Sequence, residues 1–456
     1  MDKAGASRTD DRAPLAAFFS FVLPGLGQAY NRQYRLALLL ISPAAIIGWL
    51  VLATAGRGSD VAVEFLDVRV LLAIVALNLG LLGWRLVAIY QAHAAREAPR
   101  LGRWTTWVTA ALLAVTVGMH IVPAWVATAT INTLQTVALG GGGGNGVFSA
   151  PYMELLEGPG RTAPPAPVGD TPPPTPVALS GQITVLLVGI DAGPGRSTYS
   201  TDTMMVAVLD PSTGSASLIS IPRDTYGAPL GDGRDYNLKL NSLLAYARLD
   251  STTYPSGPTE TLKTAVGALL DLHIDYVAAV DFLGFTAAVD AVGGVDVTVT
   301  RSVYDYGYRD EYNNLVGFVI EPGTYHMDGY TALAFARSRK GAGDNDFTRA
   351  DRQQLVIEAL ATKLRSGSWL FNLPDLLNAI GDTVATDVPI ELLPGLARAL
   401  LDADLSHVNR LVIQPPLVSA AQAGDGAYIL IPDIPGIQAS VHGLVDKKVE
   451  PTPPPD

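Results

Sequence analysis

The 456-residue chain contains no cysteine, which excludes disulfides and thiolate metal sites. It also lacks a Ser or Cys nucleophile motif and a Walker-type phosphate loop. His273 and His326 have no partners at metal-ligand spacing, so both read as structural. A generally basic surface is missing as well. The formal charge is -12, and the acidity lies in the C-terminal part. Residues 1–139 hold 11 Lys+Arg against 7 Asp+Glu, whereas the remainder holds 20 against 36. No nucleic-acid partner is expected of so acidic a domain.

Long apolar runs are present. Leu36–Ala55, Val70–Tyr90 and about Thr105–Ile131 each approach the roughly 20 residues that a membrane span needs. They lack the single short core and small-residue cleavage site of a cleavable signal peptide. Lys3, Arg8, Arg12, Arg32 and Arg35 precede the first run, and Arg96, Arg100 and Arg103 follow the second. The intervening loop offsets Arg57 and Arg69 with Asp60, Glu64 and Asp67. The positive-inside rule then predicts a multi-pass protein of the cell membrane, with a cytoplasmic N-terminus and an extracellular C-terminal domain. Phe18 to Tyr30, broken by Pro24, Gly25 and Gly27, reads as an interfacial or re-entrant helix, and a fourth span there would reverse the topology. The expected divisions are an N-terminal segment 1–35, a three-span region 36–131, a Gly- and Pro-rich spacer 132–180, a catalytic domain 181–420 and a tail 421–456, its acidic, Pro-rich end disordered.

In the C-terminal part, Ile183–Ile190, Met204–Leu209 and Ser217–Ile221 read as strands joined by turns. If they form an antiparallel meander, Asp191, Asp202 and Arg223 meet at one edge. Two carboxylates with open coordination positions suit Mg²⁺, although Asp is also an ordinary turn residue. Helices are expected over Ser242–Leu249, Thr259–Leu270, Phe282–Val289, Asp375–Ile380 and Leu392–Leu401, and strands over Tyr276–Val280 and Val295–Val299. This alternation predicts an α/β or α+β domain.

Five of the 20 basic residues beyond position 139 fall within 337–352. Arg337 and Arg339 alternate, which on an extended backbone points both the same way. A Gly-rich loop follows, then a helix that Asp346 or Thr348 could cap. On it Arg349, Arg352 and Gln353 share a face. Planar guanidinium forks match phosphate oxygens bidentately, so the stretch reads as an anion site or as a salt-bridged surface loop.

Seven stretches, Leu-Leu-Val-Gly-Ile-Asp (186–191), Thr-Asp-Thr-Met-Met-Val (201–206), Ser-Ile-Pro-Arg-Asp-Thr (220–225), Lys-Leu-Asn (239–241), Val-Gly-Gly-Val-Asp-Val (292–297), Ala-Arg-Ser-Arg (336–339) and Asp-Phe-Thr-Arg-Ala-Asp-Arg-Gln (346–353), together resemble the LytR-CpsA-Psr family of bacterial cell-wall phosphotransferases. The resemblance covers about residues 183–365. It implies an α-β-α domain with a central mixed sheet and a long apolar pocket for a polyprenyl chain. It also implies transfer of a glycopolymer from a polyprenyl diphosphate carrier to a peptidoglycan hydroxyl. By that resemblance Asp191 and Asp202 match the Mg²⁺-linked carboxylates. Arg223, Lys239, Arg337, Arg339, Arg349 and Gln353 match the diphosphate-binding set. Where the family commonly has an Arg two residues before the second carboxylate, this chain has Ser200, and Arg196 is the candidate substitute.

Phosphoryl transfer needs charge neutralisation and in-line positioning more than covalent help, so Arg223, Arg337 and Arg339 are the expected catalytic cations. Asp191 or Asp224 is the candidate to accept the acceptor's proton. Apolar residues of the helices 242–249 and 282–289 are candidates for a lipid slot or for ordinary core. Hydrolysis of the same diphosphate and non-catalytic reception of a lipid-linked anion are the rival readings.

Overall fold

Among the residues described by the computed structural model (12–54, 67–95, 103–138, 181–193, 196–310, 312–339, 343–366, 384–389 and 392–446), the chain divides into two compact units. The N-terminal unit is helical: α1 Arg12–Val22, α2 Leu26–Tyr30, α3 Tyr34–Thr54, α4 Val68–Ala94 and α5 Arg103–Ala138. The three expected apolar runs coincide with α3, α4 and α5. Of these, Val68–Ala94 and Trp104–Asn132 are long and apolar enough to cross a membrane. Pro24 and Gly25 break the preceding segment as expected, with Gly25 at φ 102°. The resulting hairpin lies against α4. Gln28 is buried, and its Nε2 donates to the Ala88 carbonyl at 2.8 Å and to Oε1 of Gln91 at 2.9 Å. Gly27 permits α2 to close on both α1 and α4, since a Cβ there would stand 2.1 Å from the Ala16 carbonyl oxygen and 2.9 Å from Cβ of Ala92.

The second unit is built on a six-stranded sheet. Its strands are β1 Ile183–Gly193, β2 Arg196–Asp210, β3 Ser215–Ile221, β6 Tyr276–Asp281, β11 Val384–Thr386 and β12 Asn409–Val412, in the order β11-β6-β1-β2-β3-β12. The β1–β2, β2–β3 and β6–β11 pairs are antiparallel, whereas β1–β6 and β3–β12 are parallel. The sheet is therefore mixed, and β1–β2–β3 is the expected meander. Apolar residues alternate onto one face: Leu186, Val188, Met204, Val206 and Ile219 pack there with Leu262, Val266 and Leu269 of a helix over Pro258–Leu270. Ile437 and Val441, from a helix over Ile434–Val445, join the same core. Residues 421–446 are thus part of the fold, not a tail, since Ile437 and Val441 are fully buried in the core. Leu243, Leu244 and Ala247, from the helix Leu243–Leu249, are likewise ordinary core.

The opposite face carries α8 Phe282–Ala291 and α10 Asp346–Arg365. Gln354 of α10, fully buried, donates to Oγ of Ser220 and to the Leu411 carbonyl, which fixes the helix on β3 and β12. A second core of Val295, Val297, Val299, Met327, Phe335 and Val356 joins α10 to α9 Gly329–Arg337 and to the hairpin of β7 Val295–Val299 with β10 Gly323–Met327. The expected helix at Asp375–Ile380 and the end Glu450–Asp456 lie outside the described residues.

Candidate anion-binding site

The site forms where β2 begins, β3 ends and α10 starts. In the β1–β2 ladder, Gly189 pairs with Thr203 and Ile190 with Thr201, leaving Asp202 as the extra residue of a bulge. Bulges re-aim side chains at functional edges. Here the Asp202 carboxylate meets Arg223, just past the end of β3, with Nη1 to Oδ1 at 2.7 Å. Asp191 stands on β1 opposite Ser200. Asp224 is buried. Its Oδ1 lies 2.8 Å from Nζ of Lys239 and its Oδ2 3.8 Å from Nε of Arg223.

From the other side comes the start of α10. Its cap is Asn345, not Asp346 or Thr348. The Asn345 side chain accepts from the Phe347 and Thr348 amides, and the Thr348 hydroxyl accepts from the Asn345 amide in return. That reciprocal box satisfies the exposed donors and leaves the Asp346 carboxylate to serve the site. Asp346 Oδ2 lies 3.9 Å from Nε of Arg223, and its Oδ1 lies 3.6 Å from Nη1 of Arg349 and 3.9 Å from Nη1 of Arg339. Sequence reasoning assigned Asp346 only to capping, yet it is the hub that draws three guanidinium groups together. Its presence inside the cationic stretch was the available signal.

Charge balance sets the protonation states. Burial pushes the Asp346 carboxyl up, but Arg349, Arg223 and Arg339 outweigh it and hold the group below its usual range. Burial pushes the Arg349 guanidinium down to about 10, so it stays charged at neutral pH. The Arg223 guanidinium is also penalised by burial, but Asp202, Asp346 and Asp224 raise it above its ordinary value. Even so, Nε of Arg223 and Nε of Arg349 are buried with no hydrogen-bond acceptor. Buried donors without acceptors are costly; these two, on guanidinium groups that both approach Asp346, mark the place where an anion's oxygens are wanted.

Arg337 and Arg339 do not alternate on a strand. Arg337 is the last residue of α9, and only Ser338 and Arg339 leave the helix. Consequently they separate. Arg339 reaches Asp346, while its backbone N–H donates to Oδ2 of Asp305 at 3.0 Å. The Arg337 guanidinium lies 3.7 Å over the ring of Phe282, 5.7 Å from that of Tyr308, and donates to the Arg309 carbonyl. This aromatic bracket had no sequence signal. Gln353 donates to Oγ1 of Thr203 and to the Ala336 carbonyl, one turn beyond Arg349. Arg352, expected on the same face, points elsewhere. It is buried and donates to the Phe335 and Ser338 carbonyls and to Oδ1 of Asp344 at 2.6 Å, clamping the loop that carries Arg339. The side chain of Arg196 lies outside the described residues.

The fold and site define an α/β domain with an arginine and carboxylate cluster at one sheet edge, suited to a polyanion. The chain belongs to the LytR_cpsA_psr family, whose model matches residues 170–442. It is 32% identical over 208 residues to the polyisoprenyl-teichoic acid–peptidoglycan teichoic acid transferase TagV of Bacillus subtilis (strain 168), covering 45% of this chain and 50% of that protein. It is 34% identical over 212 residues to the enzyme named TagU of Bacillus cereus (strain AH820), covering 46% of this chain and 62% of that one. The chain thus spans between half and two thirds of these curated relatives. The crystal structure of B. subtilis TagV aligns with 59% of this chain and 99% of its own, at 24% identity and a TM-score of 0.43.

Proposed function

We propose that the outer domain transfers a glycopolymer from a polyprenyl diphosphate carrier to a peptidoglycan sugar hydroxyl. Family membership and the names of its relatives support the reaction class. The single observation that carries the site is the pair of buried, unaccepted Nε–H donors on Arg223 and Arg349, flanking Asp346. In this reading the diphosphate takes those donors together with Arg337, Arg339, Lys239 and Gln353. The acceptor hydroxyl attacks the phosphorus nearest the glycopolymer. The new P–O bond forms as the bridging P–O bond breaks, and polyprenyl phosphate departs with the electron pair. Asp191 or Asp224 would take the hydroxyl proton. The guanidinium groups stabilise charge developing on the non-bridging and leaving oxygens.

Mg²⁺ fits the donor set, which is all carboxylate oxygen: Asp191 and Asp202 are the residues that would hold it. Bound there, the ion supplies further neutralisation of the diphosphate. Asp202 would exchange part of its pairing with Arg223. The protein is proposed to sit in the cell membrane by several helices, N-terminus inside and outer domain outside, where carrier and acceptor meet.

Hydrolysis, with water in place of the sugar, is the second reading, since the same cluster serves both. The purified full chain is incubated with Mg²⁺ and a lipid-diphosphate sugar, with and without peptidoglycan. Release of polyprenyl phosphate only when peptidoglycan is present is the expected result. Release independent of peptidoglycan makes the protein a phosphatase, and none in either case makes it a receptor.

A further inference from the structure

Among the described residues, most of the large apolar side chains that the second unit exposes fall in one stretch, 304–330. They centre on the hairpin of β8 Val303–Asp305 and β9 Phe318–Ile320. Tyr306 is 75% exposed, Leu315 62% and Tyr312 56%, with Val316 beside them and Tyr304 paired to Val319 across the ladder. This is not a floppy tip. Asp310 is buried and accepts from the Tyr312 and Asn314 amides at 3.0 and 2.7 Å. Asp305 is buried too, and accepts from the amides of Gly307 and Arg339. These two carboxylates are thus turned inward to brace the turn, while Tyr306, Tyr312 and Leu315 are held outward and the exposed Glu321 accepts from the Tyr304 hydroxyl. A contiguous exposed apolar surface on a rigid element marks an interaction site.

We propose that this hairpin rests in the headgroup region of the bilayer and sets the mouth of the site against the membrane. Three observations choose that occupant. The chain carries two helices long and apolar enough to span a bilayer, and on the membrane placement proposed above they hold this unit near one. The residues are of interfacial type, tyrosines with an apolar body and a polar tip, among aliphatic neighbours. The hairpin is bolted to the site, with Arg337 bonded to the Arg309 carbonyl and lying over Tyr308, and the Arg339 amide bonded to Asp305. Docking it brings the arginines to the depth at which a lipid-linked diphosphate lies. The inference rests on the polyprenyl donor proposed above for its purpose, but its test needs no substrate and no turnover.

Because the chain has no cysteine, Tyr306→Cys and Tyr312→Cys give unique labelling sites. Ser419→Cys, at an exposed position of the β-hairpin 418–432, is the reference. Each full-length variant is labelled with an environment-sensitive fluorophore and reconstituted into phosphatidylethanolamine/phosphatidylglycerol nanodiscs containing headgroup-proximal nitroxide lipid. The labels at 306 and 312 should be blue-shifted and quenched several-fold more than the label at 419. Equal quenching at all three positions overturns the proposal. So does shielding of the 306 and 312 labels by a soluble muropeptide in lipid that does not quench them, which makes the tip a glycan platform. Quenching in a protein that performs no transfer leaves the membrane contact standing and removes only the functional reading.

Discussion

Nη1 of Arg223 lies 2.7 Å from Oδ1 of Asp202, joining the turn after β3 to the bulge in β2. Arg223 is therefore already engaged by a carboxylate, and in the proposed reaction the phosphate must compete with it. Arg223→Ala should lower the transfer rate by about 10²- to 10³-fold, the scale for removing one donor to developing charge. The fold should persist, since the sheet is held by the apolar core around Leu186, Val206 and Ile219 and not by this side chain. Arg223→Lys should recover little of the loss, because a point charge lacks the fork. Single-turnover rates with thermal melts check both. Near-normal rates in the alanine variant would remove Arg223 from the site.

Arg337 and Arg339, both assigned to the diphosphate in the proposed reading, are held by different supports. Alanine at either should cut turnover strongly with the domain intact. Phe282→Leu isolates the support beneath Arg337. Removing a ring face 3.7 Å from the guanidinium forfeits about 1 kcal/mol. That corresponds to a roughly fivefold rise in KM for the donor, with kcat little altered. Donor titrations of the variant decide it, and an unchanged KM would leave the ring merely as packing.

Arg352 touches no proposed ligand, yet Arg352→Ala strips donors from the Phe335 and Ser338 carbonyls and from Asp344. Breaking a buried pair by deleting one partner costs about 3–5 kcal/mol. Denaturant midpoints should fall accordingly. At temperatures where the variant is still folded, kcat should also drop, since the loop holding Arg339 has lost its clamp. A stable variant with ordinary kcat refutes this role.

The sheet was readable because β1, β2 and β3 are apolar runs punctuated by turn residues, and their meander places Asp191, Asp202 and Arg223 at one edge by topology alone. The start of α10 was readable as a helix but not as a geometry. Asn345, Asp346 and Thr348 are all plausible caps by residue type, and only the reciprocal Asn345–Thr348 pairing decides among them. Likewise Arg337 was legible as a phosphate-type residue but not as the end of α9. Helix termination depends on burial of Ala332, Phe335 and Ala336 in the second core, a tertiary fact. The C-terminal helix escaped for the same reason: Ile437 and Val441 acquire meaning only against β3, β12 and the helix Pro258–Leu270.

Asp346 should register in the acid limb of stability. Its folded pKa is depressed, because three guanidinium groups outweigh the opposing effect of burial. A depressed carboxylate contributes stability that is fully present above its unfolded value, about 3.9, and is lost as pH falls through the lower folded value. Asp346→Asn removes that contribution and leaves Arg223, Arg339 and Arg349 facing one another. The variant should be less stable than the natural protein at pH 7, and the gap should shrink as pH drops below about 4, where the natural carboxylate also protonates. Added inorganic pyrophosphate should narrow the gap at pH 7, since it neutralises the exposed cations in place of the missing acid. Denaturant midpoints at pH 7, 5 and 3.5, with and without pyrophosphate, test both parts. A stability difference that stays constant across that range would show that Asp346 is not the counter-charge of the cluster.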